Sequence, residues 1–249
     1  MSLNNKVAVV TGAGRGIGQA IAQRLANEGA SVVLTDINSS VLDEALQTIQ
    51  RDNPSARCLA IKVDVTSRSS VEDMVSHVVE KFGSLDILVS NAGTWKELTA
   101  GPFWEISSAE WQRTFQINTE GAFNCAAAVS TQMIKQNAGR IIFIGSTAIG
   151  EALAQITHYA SSKAALIGLM RCAAKELGQH YVTVNMVHPG QTDTGAFSRE
   201  RLEARAKTKF IADVMKPQDL TGIVAFLASE ESKFITAQQI YVDGGGVLA

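Results

Sequence analysis

The chain has 249 residues, 46% hydrophobic and 18% charged, enough apolar material for a substantial core in one globular domain and unlike a disordered or fibrous chain. Lys and Arg number 22 against 24 Asp and Glu, a formal charge of -2, and no basic run is long enough to follow a phosphate backbone, which argues against nucleic acid as a partner. No stretch reaches the roughly 18–20 apolar residues of a membrane helix, and no charged head precedes a long apolar segment, so a soluble, cytoplasmic protein without membrane contact is expected.

Val7 to Val10 is a wholly apolar run that ends in a glycine-rich turn. Ile17, Ile21 and Leu25 then recur at helical spacing, and Gly29 closes that helix. Ser31 to Thr35 is a second β-branched run, ending at Asp36. The alternation continues with helix 41–50, strand 58–63, helix 71–82 and strand 86–89. An irregular stretch from Thr94 to Ser107 precedes one long helix or two over 109–136 and a strand over 140–144. Helix 159–177, strand 182–187, helix 218–227 and strand 239–242 complete the series, with Pro217 at a first helical position. Apolar strands alternating with amphipathic helices predict an α/β, doubly wound parallel sheet covered on both faces. No repeat or linker divides the chain, so one domain over residues 1–249 is expected, with a single excursion from Gly190 to Lys216.

The first turn reads Thr11-Gly12-Ala13-Gly14-Arg15-Gly16-Ile17-Gly18, between a strand and a helix. Glycines there let the backbone turn sharply and approach a pyrophosphate, whose charge suits the free N–H groups of a helix N-terminus. Asp36, with Ile37 beside it, stands at the end of the next strand, eighteen residues past the last glycine, where an acid binds an adenosine ribose. A carboxylate there repels a 2′-phosphate, so NAD is favoured over NADP. Arg15 pulls the other way, but is equally explicable as a solvated partner of Asp36.

Later in the chain stand Asn91-Ala92-Gly93 after the fourth strand, Asn118, Ser146, and Tyr159-Ala160-Ser161-Ser162-Lys163, with Val242-Asp243-Gly244-Gly245 near the end. Ser146 lies thirteen residues before Tyr159, and Lys163 four after it. Together with the first turn, these resemble the short-chain dehydrogenase/reductase family over nearly the whole chain. The resemblance implies a Rossmann fold of seven strands in three layers, usually a homotetramer, with Asn118, Ser146, Tyr159 and Lys163 as the catalytic set. It also implies that Asp64 and Val65 touch the adenine, that Asn91, Ala92 and Gly93 line the cofactor cleft, and that Pro189, Gly190, Thr192 and Thr194 hold the nicotinamide. Three positions depart from the family pattern: Ser90 where many relatives have Asn, His188 where Ala is more usual, and Ala237 in place of a common Gly.

Those residue types suit interconversion of a secondary alcohol and a ketone. A phenol titrates near pH 10, so a Tyr acting as acid and base needs help; Lys163, on the same helix face, supplies charge near the phenol. Ser146 donates to the substrate oxygen while Tyr159 exchanges the proton. By resemblance, Asn118 distorts its helix and orders a water that gives the proton an exit. His158 points away from its neighbour Tyr159 on a helix, which favours a substrate-side or structural role. His188 is balanced between packing and cofactor contact.

The small-molecule substrate is expected between the Thr94 to Ser107 stretch, the residues after Ser146 and the 190–216 excursion, which would act as a lid. Trp95, Phe103, Trp104, Ile149, Leu153, Ile156, Phe197 and Phe210 are candidate apolar walls. Arg199, Arg201, Arg205, Lys207 and Lys209 raise the alternative of an anionic substrate or acidic carrier. The leading reading is an NAD-dependent alcohol dehydrogenase. A 3-oxoacyl-[acyl-carrier-protein] reductase using NADPH is the enzymatic alternative, and a nucleotide-sensing scaffold the non-enzymatic one. Cys58, Cys125 and Cys172 show no CxxC pair or His spacing, so no disulfide framework or metal site is expected, only buried small hydrophobes.

Overall fold

The computed structural model describes residues 2–95 and 98–248. Its frame is a parallel sheet of seven strands: β1 Val7–Thr11, β2 Ser31–Asp36, β3 Cys58–Lys62, β4 Ile87–Ser90, β5 Gly139–Ile144, β6 Val182–Pro189 and β7 Gln239–Val242, in the spatial order β3-β2-β1-β4-β5-β6-β7. The helices are α1 Gly16–Asn27, α2 Ser39–Asp52, α3 Arg68–Phe82, α4 Ser108–Phe115, α5 Gly121–Gln136, α6 Thr157–Leu177, α7 Arg199–Ala206 and α8 Gln218–Ala228.

Alternation along β1 explains the three layers. Ala8 and Val10 face one cluster, with Ile21 and Leu25 of α1, Leu42 and Ile49 of α2, and Leu220 and Val224 of α8. Val7 and Val9 face the other, with Val71 and Met74 of α3, Val129 and Met133 of α5, and Leu166 and Met170 of α6. Both faces of the sheet are therefore covered, which is why the strands read as continuous apolar runs rather than alternating ones. The predicted Rossmann architecture is the one observed.

Four details sharpen or correct the sequence expectations. The segment 109–136 is two helices joined by a π-helical turn over Gln116–Glu120, and the turn carries Asn118. The excursion contains α7, capped by Ser198, whose hydroxyl accepts the Arg201 N–H at 3.3 Å. Of the three cysteines only Cys125 is fully buried; Cys58 is half-buried and Cys172 is exposed, so the uniform expectation of buried hydrophobes fails for the last. Ala237 sits at φ 60°, in the left-handed region, which gives the physical reason for a common Gly there.

Lys96 and Glu97, inside the stretch expected to border the substrate, lie outside the described residues. Among the described residues no helix is long and apolar enough to cross a membrane, and no cluster of His, Cys, Asp or Glu is arranged to hold a metal.

Candidate active site

β1 and β4 are neighbours, but the chain leaves β1 toward β2 and leaves β4 toward β5. Such a reversal opens a crevice at the carboxyl ends of the strands, and the glycine turn and Asn91 meet in it. The Thr11 hydroxyl accepts the N–H groups of Asn91 and Ala92, both at 3.0 Å. Asn91 Nδ2 donates to the carbonyls of Thr11 at 2.9 Å and Gly12 at 3.0 Å. Glycine is required here for clearance: a Cβ on Gly18 would lie 2.3 Å from the Gly12 carbonyl oxygen and 2.5 Å from Asn91 Nδ2. Helices α2, α3, α4 and α7 have side-chain caps from Asn38, Ser67, Ser107 and Ser198, whereas α1 has none. The first amides of α1, at Gly16, Ile17 and Gly18, are therefore left to an outside acceptor, as a pyrophosphate would be.

Asp36 closes the next strand beside this turn. Its carboxylate accepts the Gly14 N–H at 3.2 Å and the Asn38 N–H at 3.1 Å, which fixes the group where a ribose would lie. Ile37 next to it is exposed. The Asp36 carboxylate is turned into these backbone amides rather than paired with Arg15.

Beyond β3, the Asp64 carboxylate is occupied by the N–H and hydroxyl of Thr66 at 2.9 and 2.7 Å, and the buried Val65 presents its carbonyl to Asn124. At the other end of the crevice Pro189 ends β6, Gly190 donates to Val242 O at 2.9 Å, and the Thr192 hydroxyl donates back to Gly190 O at 2.9 Å. Thr194 reaches across to the glycine turn, its methyl within 3.2 Å of where a Gly16 Cβ would stand. The cofactor-site candidates stand at the carboxyl ends of the strands, the trough where an open α/β sheet takes its ligand, and the glycine clearances and the open end of α1 fit a dinucleotide.

Four polar side chains converge beside the trough. The Ser146 hydroxyl accepts the Ala148 N–H at 3.1 Å and stands near enough to the Tyr159 phenol to favour its ionised form. Lys163, one turn along α6, is buried and donates to the Ile144 carbonyl at 2.9 Å. Asn118, fully buried on the π turn, accepts the Thr94 N–H at 2.8 Å and donates to Thr94 O at 3.2 Å and Ser162 Oγ at 3.0 Å. Gly93 lies between the last two: a Cβ there would stand 3.0 Å from Asn118 Oδ1 and 3.3 Å from Lys163 Nζ.

Burial sets the electrostatics of this group. It lowers the Lys163 ammonium to about 8 and raises the Tyr159 phenol, with Ser146 working against that rise. Desolvation is the larger influence on the phenol, and the Lys163 ammonium gives its hydrogen bond to Ile144.

The surroundings sort the substrate-side candidates. Trp95 stacks on Phe197 at 4.6 Å, and Arg201 covers the other side of that pair at 4.8 Å from the Phe197 ring. Ile149 and Ile156 are half-buried, but Phe103, Trp104 and Phe210 are exposed, and Phe210 lies on the Gly245 backbone; none of the three seals the cleft. Two of the five cations of the excursion are paired with acids, Arg199 with Glu203 at 2.7 Å and Arg205 with Glu151, which reduces the candidate cationic surface. His158 is buried and pairs with Glu110 at 3.1 Å, a structural role that ties α6 to α4.

Sequence reasoning missed Ser162, which links Asn118 to the Tyr159 carbonyl at 3.0 and 2.8 Å, and the use of the Thr11 hydroxyl as a double acceptor. Both were visible as letters inside quoted motifs. Nothing local marked them as connectors.

Comparison with known proteins places this architecture. The protein-family model described as "Enoyl-(Acyl carrier protein) reductase" matches residues 12–246. Galactitol 2-dehydrogenase of Agrobacterium fabrum is 37% identical, with 100% of each chain covered. A 3-oxoacyl-[acyl-carrier-protein] reductase of Staphylococcus epidermidis is 36% identical over 97% of this chain and 98% of its own. Among solved structures, NAD+-bound xylitol dehydrogenase superposes with a TM-score of 0.91 at 32% identity, covering 98% of this chain and 100% of that one. The glycine turn over an uncapped helix, the convergence of Ser146, Tyr159, Lys163 and Asn118, and these full-length likenesses agree: the chain belongs to the short-chain dehydrogenase/reductase family of nicotinamide-dependent oxidoreductases.

Proposed function

We propose that the protein is an NAD-dependent dehydrogenase that interconverts a small neutral secondary alcohol and its ketone. The observation that carries this reading is the grouping of the Ser146 hydroxyl and the Tyr159 phenol, with buried Lys163 and Asn118 behind them and the open end of α1 beside them. Bound in the trough, NAD supplies the hydride acceptor. Gly12, Arg15, Gly16, Ile17 and Gly18 would receive its pyrophosphate, Asp36 and Ile37 its adenosine ribose, and Asp64 and Val65 its adenine. Asn91, Ala92, Gly93, Pro189, Gly190, Thr192 and Thr194 would border its nicotinamide half.

Ser146 holds the substrate oxygen, and Tyr159 takes the hydroxyl proton in oxidation or returns it in reduction. Lys163 favours the phenolate through its charge, and Asn118 keeps the π turn docked on α6 at Ser162, one residue from that ammonium. The carboxylate of Asp36 disfavours a 2′-phosphate, which supports NAD over NADP. Engagement of Arg199 and Arg205 by acids supports a neutral substrate over an anionic one. Residues 190–216 would form the lid, with Leu202, Ala206 and Val214 packed against Phe197 as its own small core. A groove lined by Trp111, Phe115, Phe123 and Leu169 is a candidate contact surface for the homotetramer that the family resemblance implies. A cytoplasmic location accords with this chemistry.

The 36% identity to a 3-oxoacyl-carrier reductase keeps a second reading in the test. Purified protein is assayed with NAD against secondary alcohols, sugar alcohols and hydroxy acids, and with NADPH against a 3-oxoacyl thioester. NADH formation from a neutral alcohol supports the dehydrogenase. Turnover only of the thioester with NADPH overturns it in favour of the carrier reductase.

A further inference from the structure

The three residues that carry Ser146 to the rim of the cleft are each tied to β6. Gly145 N–H donates to Val187 O at 2.8 Å and Thr147 N–H to Pro189 O at 3.1 Å, both ordinary main-chain bonds. The amide between them does something else. Ser146 N–H donates to Nδ1 of His188 at 3.2 Å, and the same nitrogen lies 3.2 Å from the Ser146 carbonyl oxygen. On the far side of the ring, Nε2 faces Gln239 Oε1 at 3.1 Å, and the ring face stacks on Tyr241 at 4.5 Å and 14°.

We propose that His188 is a positioning residue for catalysis, a neutral Nε2–H imidazole whose Nδ1 lone pair holds the Ser146 amide and so aims the Ser146 hydroxyl at the substrate oxygen.

Two of the three contacts select this tautomer: the Ser146 N–H can only donate, which needs a bare Nδ1, and the Gln239 carbonyl oxygen can only accept, which needs the proton on Nε2, whereas the Ser146 carbonyl, equally near Nδ1, would take a proton there. The stack on Tyr241 holds the plane of the ring. The fit is close: a Cβ on Gly145 would stand 2.6 Å from Nδ1, so glycine before the serine is what lets the imidazole reach the amide. His188 is completely buried, and both of its nitrogens are used within the protein, which leaves neither for a ligand.

Protonation would undo the arrangement, since an imidazolium can only donate at Nδ1 and would turn from the Ser146 N–H to its carbonyl. Burial keeps the ring below the ordinary imidazole range, against its bonds to Ser146 and Gln239, and the Lys163 ammonium on α6 adds to the lowering. Tyr241 on β7 is the other titratable group facing the ring; Gly145 and Ser146 after β5 and Gln239 on β7 carry no charge.

The test rests on the dehydrogenase reading for turnover but not for the hydrogen bond. His188→Asn keeps an acceptor near the position of Nδ1 and gives up the ring, whereas His188→Phe keeps a stacking ring and gives up the acceptor. With NAD and the best alcohol of the panel, His188→Phe should lower kcat about tenfold, the equivalent of one hydrogen bond, with KM for NAD unchanged. His188→Asn should stay within about threefold of the parent and lose the acid limb that the parent shows below the ordinary imidazole range. A normal kcat in His188→Phe, or equal damage in both variants, would make His188 a packing residue and overturn the proposal. If neither variant folds, Gln239→Leu serves instead, since releasing Nε2 should let the tautomer drift and lower kcat several-fold; an unchanged kcat overturns the proposal just as well. Imidazole 15N shifts of the parent protein read the bond without any substrate. An Nδ1–H tautomer there refutes the positioning role, while absence of turnover on every alcohol refutes only the dehydrogenase reading.

Discussion

Lys163 is a cation held where cations are costly, and its replacement by Met should stabilise the protein while destroying its activity. The ammonium is buried, and burial brings it from 10.5 to about 8. A Lys whose folded value lies below its unfolded value binds fewer protons folded than unfolded between the two, so stability rises with pH across that window. The difference corresponds to about 3 kcal/mol, absent below pH 8 and recovered as the group is neutralised toward pH 10.5. Met has similar length and no charge. It removes the penalty but leaves the Ile144 carbonyl without its 2.9 Å donor, a loss of about 1 kcal/mol. The net gain at pH 7 is about 2 kcal/mol, or about 4–8 °C in Tm for a domain of this size. Urea unfolding of parent and variant at matched concentration, from pH 7 to 10, measures it. The advantage of the variant should shrink as pH rises, because only the parent gains from neutralising Lys163. Cys58, Cys125 and Tyr159 also titrate anomalously, but they are common to both proteins and cancel in the comparison. A variant less stable than the parent at pH 7, or an advantage independent of pH, would refute the burial argument.

Tyr159→Phe keeps the ring and removes the acid and base, so turnover should fall about 10²-fold or more while NAD affinity, read by fluorescence titration, stays close to normal. Asp36→Ala should lower the ratio of kcat/KM for NAD over NADP about tenfold or more, since a half-buried carboxylate next to a 2′-phosphate is only partly screened; a parent enzyme that already prefers NADP contradicts the role given to Asp36. Ala237→Gly should relieve the strain of φ 60° and raise Tm by about 2–4 °C, from a gain of about 1 kcal/mol. An unchanged melting curve would show that the strain is not stored there.

Where the determinants are local, the sequence is a sufficient guide. β1, the glycine turn and α1 follow from twenty-one consecutive letters, because strand propensity, turn chemistry and helical spacing agree within them. Ser146, Tyr159 and Lys163 are legible through the family resemblance that their spacing carries together with the glycine turn. What stayed hidden depends on contacts distant in the chain. Arg205 reads as a free cation until Glu151, far back in the sequence, is brought beside it by the fold. The tautomer of His188 depends on Gln239, fifty-one residues away on the neighbouring strand. Helix α7 was missed for another reason: its apolar side is only Leu202 and Ala206, too little for a periodic signal among five charged residues.

The π turn at Gln116–Glu120 amounts to one residue more than a regular helix would need, and its consequence is clearest in terms of deletions. A chain shortened by one residue there would close into unbroken α-helix, with every i to i+4 bond restored. The gain in regularity would be offset in the active site. Residues before the deletion would swing by about 100° and advance by about 1.5 Å relative to α5. Asn118 could no longer face Thr94 and Ser162 together, and the stacked Trp111 and Phe115 would leave their common groove with Phe123. Single-residue length changes, usually tolerated in surface loops, should therefore be as damaging in this stretch as loss of a catalytic side chain.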